Sequence, residues 1–317
     1  MRGLLLLLAC GCTVADPFAS DPEESEVASL SLIEACPVGQ WCVEAPPAEL
    51  AAVNLHAVWA LDEDDVFAVG DGGAIIRRVN GNDWFQMPSG TTTKLLSVWG
   101  SSASDVWVGS ASSLLLHYDG TSWSQVTAPI SNVDSIWGLS PTDAWFVGSS
   151  TVMHWNGSSF ALASGVTGTL DRVSGTGPND VWVSTENSYL RHYNGTLWST
   201  VAPGSVGVSF RTVFARTATD VWAATFMPRL ETTRWNGSRW TPYRTDVKGA
   251  FLSSISGQSA NDVWGAGNSR IAHWTGSGGM WFTEEPFGTN ATLWSVTTVP
   301  GHAWVVGDSG VIGHRLL

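Results

Sequence analysis

A chain of 317 residues is long enough to bury most of its apolar surface in one domain. Only 14% of the residues are charged and 19 are tryptophan, a composition that suits a β protein packed sheet on sheet. The formal net charge is −13 with no basic stripe in view. That excludes nucleic acid as a partner, because a phosphate binder needs clustered Lys and Arg.

The first stretch, 1–12, is MRGLLLLLACGC. Arg2 supplies a positive n-region and 4–8 an apolar core too short to span a bilayer, so the stretch reads as a signal peptide. Leu7-Leu8-Ala9-Cys10 resembles the bacterial lipobox, in which a small residue precedes a cysteine that becomes lipidated. Cys12, after Gly11, is a second candidate. The resemblance implies cleavage before that cysteine and anchoring through its acyl chains alone. Residues 13–35 carry Asp16, Asp21, Glu23, Glu24 and Glu26 among small side chains and read as an acidic flexible tether.

Cys36 and Cys42 flank the sequence PVGQW. In an exported chain the expected outcome is a disulfide closing a small loop. A zinc site would need two more ligands, and none stands nearby. The stretch 39–46 resembles 120–127, a Gly followed by polar residues and a Trp, with Trp41 as the counterpart of Trp123. It reads as the last strand of a repeat.

From Ala51 a unit recurs. Its apolar pair is Val58-Trp59, Val98-Trp99, Ile136-Trp137, Val173-Ser174, Val213-Phe214, Ile255-Ser256 and Val296-Thr297. An aromatic follows at Phe67, Trp107, Trp145, Trp182, Trp222, Trp264 and Trp304. Two positions before it stands Asp65, Asp105, Asp143, Asp180, Asp220 or Asp262, with His302 in the seventh copy. Turn dipeptides come next, Asn80-Gly81, Asp119-Gly120, Asn156-Gly157, Asn194-Gly195, Asn236-Gly237 and Thr275-Gly276, each followed by a large aromatic. Asp-Gly and Asn-Gly between apolar runs mark hairpins, whose turns need positive φ. Four short strands per unit of about 40 residues are the mark of a propeller blade. The expected fold over 36–317 is all-β: a seven-bladed β-propeller of four-stranded blades, its ring closed by the N-terminal strand around Trp41. The seventh unit reaches Leu317 with only three strands of its own.

The repeat resembles those of bacterial extracellular propellers, grouped with the BNR/Asp-box sialidase-like propellers and the photosystem II assembly-factor propellers. The resemblance implies a lipoprotein of the bacterial cell envelope, at the outer membrane or cell surface. The Asp-box pattern S-x-D-x-G-x-T-W is not matched, because Asp105 precedes Val106-Trp107 directly. That departure weighs against sialidase activity.

Several constellations have a plain structural explanation. The repeated Asp reads as an Asx-type turn or backbone cap. Five of the seven histidines, His117, His154, His192, His273 and His314, share one repeat position, held by Arg78 and Arg234 elsewhere. One per blade, they cannot converge on a metal, and a cross-strand contact explains them. The tryptophans read as inter-blade core. Asn156, Asn194, Asn236 and Asn290 fit the glycosylation acceptor pattern, but three of them coincide with the hairpin turn. No nucleophile elbow, zinc-protease motif or phosphate loop occurs, and no cofactor or metal is expected.

Deviation from the repeat's own consensus is what points to function. In a propeller, the loops entering the inner strands and those between second and third strands share one face around the channel mouth. On or near it lie Asp134, Asp171, Arg172, Arg211, Tyr243 and Arg244, together with an apolar, Arg-bearing insertion containing Phe226, Met227 and Arg229. Loops on a rigid scaffold carry binding residues. The expectation is a monomeric, non-catalytic scaffold that binds a protein or glycan on this face. The alternative is a sialidase-like glycoside hydrolase or lyase at the channel mouth, for which Arg172, Arg211, Arg229 and Tyr243 supply ingredients.

Overall fold

In the computed structural model the described residues are 36–148, 150–187, 189–204, 209–226, 231–245, 251–284 and 290–317. The side chains of Phe226, Arg244, Thr245, Met280, Thr283 and Glu284 lie outside the description, as do residues 1–35 with Cys10 and Cys12. The described residues form a seven-bladed β-propeller of four-stranded antiparallel blades. The inner strands are Leu55–Ala60, Leu95–Ser102, Val133–Ser140, Leu170–Gly177, Ser209–Thr217, Ser254–Ser259 and Leu293–Val299. Blades 5 and 6 also meet edge to edge, where Trp240–Thr245 runs parallel to Met280–Glu284.

Blade 7 takes its outer strand from the other end of the chain. Trp41–Glu44 pairs antiparallel with Ile312–Leu316, Trp41 opposite Arg315 and Glu44 opposite Ile312. Cys36 and Cys42 are bonded at 2.03 Å beside this strand. An otherwise open sheet edge is thereby covered.

The second strand of each blade is almost wholly buried, because neighbouring blades cover both its faces. That explains runs such as Val66-Phe67-Ala68-Val69, where a one-sided strand would alternate. Trp222, Trp264 and Trp304 are fully buried between blades, as expected of the tryptophan ladder.

The Val-Trp-Gly sequence of the inner strand has a direct cause. The Trp of one blade lies against the Gly of the next. A Cβ on Gly100 would come within 2.6 Å of Trp59 Cη2, one on Gly138 within 2.6 Å of Trp99, and one on Gly175 within 2.6 Å of Trp137. Where the aromatic is missing, so is the glycine. Ser174 precedes Ala215, Ser256 precedes Thr298, and Thr297 precedes Ala60 around the ring. At the first two of these a hydrogen bond fills the place of the ring contact, from Ala215 N to Ser174 Oγ at 2.9 Å and from Thr298 N to Ser256 Oγ at 3.1 Å.

The hairpin asparagines accept amides two and three residues on, at 2.9–3.0 Å for Asn156, with Gly157 at φ 89°. Blade 1 turns differently. Asn80 and Gly81 both have positive φ, 54° and 69°, and one more residue than in the other blades lies between the position opposite the aromatic and the turn. This shifts the register, so Arg77, not the expected Arg78, stands opposite Phe67.

Candidate functional site

The repeated Asp and His are one device. His117 Nε2 lies 2.6 Å from Asp105, His154 2.8 Å from Asp143, His192 2.7 Å from Asp180 and His273 2.8 Å from Asp262. Each imidazole stacks on the Trp between them, at 4.1 Å for Trp107 and 3.6 Å for Trp264. Arg77 with Asp65 over Phe67, and Arg234 with Asp220 over Trp222, are the cationic versions. The Asp is thus a cross-strand partner and not the backbone cap expected from its position before a strand. Among the described residues no group of three or more His, Cys, Asp or Glu is arranged to hold a metal ion.

The residues that depart from the repeat occupy a common structural position. Six inner strands carry a β-bulge one or two residues from their start. In blade 3 Val133 pairs with Gly148 and Ser135 with Val147, leaving Asp134 unpaired. In blade 4 Leu170 pairs with Thr185 and Val173 with Val183, so Asp171 and Arg172 oppose Ser184 alone. Arg211, His56, Leu96 and Trp294 hold the same place in blades 5, 1, 2 and 7. A bulge removes a residue from the ladder and re-aims its side chain, which is why these positions vary freely at the channel mouth.

Four of the sequence-selected residues meet there. Arg172 donates from Nη1 to the Asp134 main-chain oxygen at 2.7 Å, and Arg211 Nη1 lies 3.5 Å from Asp171 Oδ1. Asp171 Oδ2 is buried with no hydrogen-bond partner among the described residues. Beside it is an opening of about 220 Å³ lined by Asp171, Glu186, Ser209 and Arg211. Burial pushes the Asp171 carboxyl up to about 6 against the pull of Arg211 and Arg172, with Glu186 adding to the rise. Burial likewise raises Asp134 and lowers the Arg172 guanidinium. This is a charge cluster whose ion pairs do not fully compensate its desolvation.

Other selected residues fall elsewhere. Tyr243 is in the outer strand of blade 5 and packs on Trp222 and Trp274, at 5.7 and 4.7 Å. Three strand spacings, roughly 14 Å, separate that strand from the inner one, so Tyr243 belongs to the blade 5–6 wall and not to the channel mouth. Arg244 stands on the same outer strand, its backbone opposite Glu231 and Met280. Phe226 ends the second strand of blade 5, and Met227 and Arg229 lie outside the described residues.

A second polar group was not singled out from sequence. His56 Nε2 is 2.8 Å from Asp71 Oδ1, Asn54 Nδ2 donates to Asp71 Oδ2 at 3.0 Å, and Lys94 Nζ lies 3.5 Å away. Burial, joined by the charge of Lys94, lowers the His56 imidazole against the pull of Asp71. Burial would raise Asp71, but the bonds from His56 and Asn54 outweigh it and hold the carboxyl low. His56 and Arg172 both line the channel cavity of about 150 Å³. Asp71 and Glu186 sit in second-to-third-strand loops, whose divergence among repeats was the available signal.

No protein-family model and no curated protein matches this chain. Solved structures do. One of YCF48 bound to D1 peptide has a TM-score of 0.72 at 13% identity, covering 89% of this chain and all of that one. A catalytically inactive virginiamycin B lyase from Staphylococcus aureus with quinupristin has a TM-score of 0.76 at 12% identity, covering 88% and 100%. The WD40 propeller domain of Doa1 has a TM-score of 0.70 at 11% identity, covering 89% and 97%. These likenesses define the class, a single-ring propeller, and at such identities they carry the fold alone.

Proposed function

We propose that this chain is a lipid-anchored propeller of the bacterial envelope that binds a protein partner, without catalysis, on the bulge-bearing face of blades 3–5. The observation that carries the reading is the buried Asp171 carboxylate, one oxygen unpartnered, beside an opening shared with Glu186, Ser209 and Arg211. Such a group costs stability and gains on meeting a donor. The net charge of −13 favours a partner that presents a cationic group. The YCF48 structure with a peptide supports the reading by analogy of fold. The test is capture from envelope extract by the detergent-solubilised chain, beside Arg211→Ala. A protein held by the parent and lost by the folded variant supports the reading. Equal capture by both, or capture of glycan alone, overturns it.

One observation favours a second reading, a lyase or glycosidase. His56 is held by Asp71 and lines the same cavity as Arg172, the arrangement of an oriented base facing a cation. Turnover abolished by His56→Ala would select it.

A further inference from the structure

In blades 1–5 one outer-strand side chain plugs the seam to the next blade. It stands three residues after the outer-strand aromatic: Met87, Val126, Ala163, Val201 and Tyr243 in blades 1 to 5. Each groups with the second-strand aromatic of its own blade and with two aromatics of the next. Between blades 5 and 6 those three rings are Trp222, Trp274 and Trp281. Between blades 3 and 4 they are Trp145, Tyr193 and Trp198.

Ala163 is the smallest of the five plugs. The rings around it have not closed in to compensate. Trp145 lies 5.3 Å from Tyr193 and 5.7 Å from Trp198, centroid to centroid. The matching distances from Trp222 to Trp274 and Trp281 are 5.0 and 5.3 Å. In blade 5 the Tyr243 ring occupies this place, 5.7 Å from Trp222 and 4.7 Å from Trp274. In blade 3 there is an opening of about 420 Å³ bordered by Trp145, Ala163, Tyr193 and Trp198. Benzene enters an apolar cavity of roughly 150 Å³, and sites for small molecules run from about 300 to 1,000 Å³.

The same seam lacks its strand pairing. Between blades 5 and 6 the outer strands meet, Arg244 opposite Met280 and Thr245 opposite Trp281. The equivalent positions in blades 3 and 4 are Ser164, Gly165, Leu197 and Trp198. All four border the opening. The outer strand of blade 3 ends at Leu162, and Gly165 turns the chain at φ 81°. The lips are apolar: Leu162 is 56% and Leu197 55% exposed. Gln40, Asp83, Ser122, Ser159 and Arg239 hold the place of Leu197 in five other blades, so this exposed leucine is particular to the open seam. His154, Ser164 and Thr196 add polar groups at the border, within reach of a ring substituent.

We propose that the seam between blades 3 and 4 binds one aromatic ring of the phenol class, held where blade 5 holds its own Tyr243. Tilted and edge-to-face contacts with Trp145, Tyr193 and Trp198 would seat the ring, and its hydroxyl would meet the polar border. A free para-substituted phenol and a tyrosine residue of a peptide share this chemistry. The opening has no lining residue in common with the one beside Asp171, so the two proposals stand apart.

The test is titration calorimetry of the full chain with p-cresol, the tyrosine side chain as a free molecule, and with N-acetyltyrosinamide. The parent is compared with Ala163→Tyr and Ala163→Met, which install the plugs of blades 5 and 1. Two plugs are used so that misfolding of one leaves the comparison intact. The expected result is saturable binding of one ring per chain by the parent, weakened at least tenfold in each folded plug variant and unchanged in Asp171→Asn. Tighter binding of p-cresol assigns the site to a free phenol, and tighter binding of N-acetyltyrosinamide assigns it to a peptide residue. No saturable binding of either compound by the parent, or equal binding by the parent and a folded plug variant, would overturn the proposal.

Discussion

Trp137 lies so close to Gly175 of the next blade that a Cβ there would stand 2.6 Å from its Cη2. The same relation joins Trp59 to Gly100 and Trp99 to Gly138, and Ser174 with Ala215 is its polar substitute. The ring thus holds two interchangeable ways of stacking one inner strand on the next. Gly175→Ala is expected to destabilise by about 1–3 kcal/mol through overpacking. Adding Trp137→Ser, which recreates the Ser174–Ala215 pair, should recover part of that loss. Denaturant unfolding of both variants checks it, and simple additivity would show that the two residues do not couple.

The Asp–His–Trp device carries an acid dependence. The bond from His273 outweighs burial and holds the Asp262 carboxyl below its ordinary value, and at Asp180 the bonds from His192, Thr176 and Trp182 outweigh burial to the same effect. A carboxyl lowered on folding contributes stability that is present above the unfolded value, about 3.9, and is lost as pH falls through the folded one. The stability of the parent should drop below about pH 4. Asp262→Asn should show a shallower drop by thermal melts across pH 2 to 5, and an unchanged slope would remove the device from the acid response.

Asp171 behaves in the opposite sense. Its carboxyl is raised to about 6 by burial, so the folded state takes up a proton that the unfolded chain releases near about 3.9. Stability from this group falls as pH rises between those two values. Asp171→Asn is expected to be more stable than the parent at pH 7.5, by about 1–3 kcal/mol, and equal to it near pH 4. Destabilisation at pH 7.5 would mean that the Arg211 ion pair dominates and that the site is structural.

Lipidation at the N-terminus is tested by labelling with radioactive palmitate in a bacterial host. Label is expected to be lost on either Cys10→Ala or Cys12→Ala. Label retained in both single variants and in the double variant would remove the anchor.

The repeat was legible because each blade poses the same packing problem, so its solution is written seven times. The closing strand was legible from the match of Trp41 to Trp123. The Asp and His were read separately, since a pair across two strands, 12 residues apart for Asp105 and His117, shows only once the register is known. The extra residue before the Asn80-Gly81 turn hid Arg77 for the same reason. Divergence picked out Asp134, Asp171, Arg172 and Arg211, which the bulges bring to one rim. It also picked out Tyr243, because an aromatic filling a wall and one facing a ligand look alike in sequence. Glu186 and His56 were passed over because what marks them, the opening shared with Asp171 and the bond to Asp71, exists only once the fold brings those residues together.

The bulge residues of blades 3–5 are proposed to bind a protein partner through Asp171, whose Oδ1 faces Arg211 and whose Oδ2 accepts no hydrogen bond among the described residues. The most direct measurement is affinity capture at pH 7.5 with the parent and Asp171→Asn side by side, both shown folded by their melts. One protein should be enriched by the parent and reduced at least tenfold with the variant, even though the variant is expected to be the more stable of the two. Equal enrichment by both would contradict it.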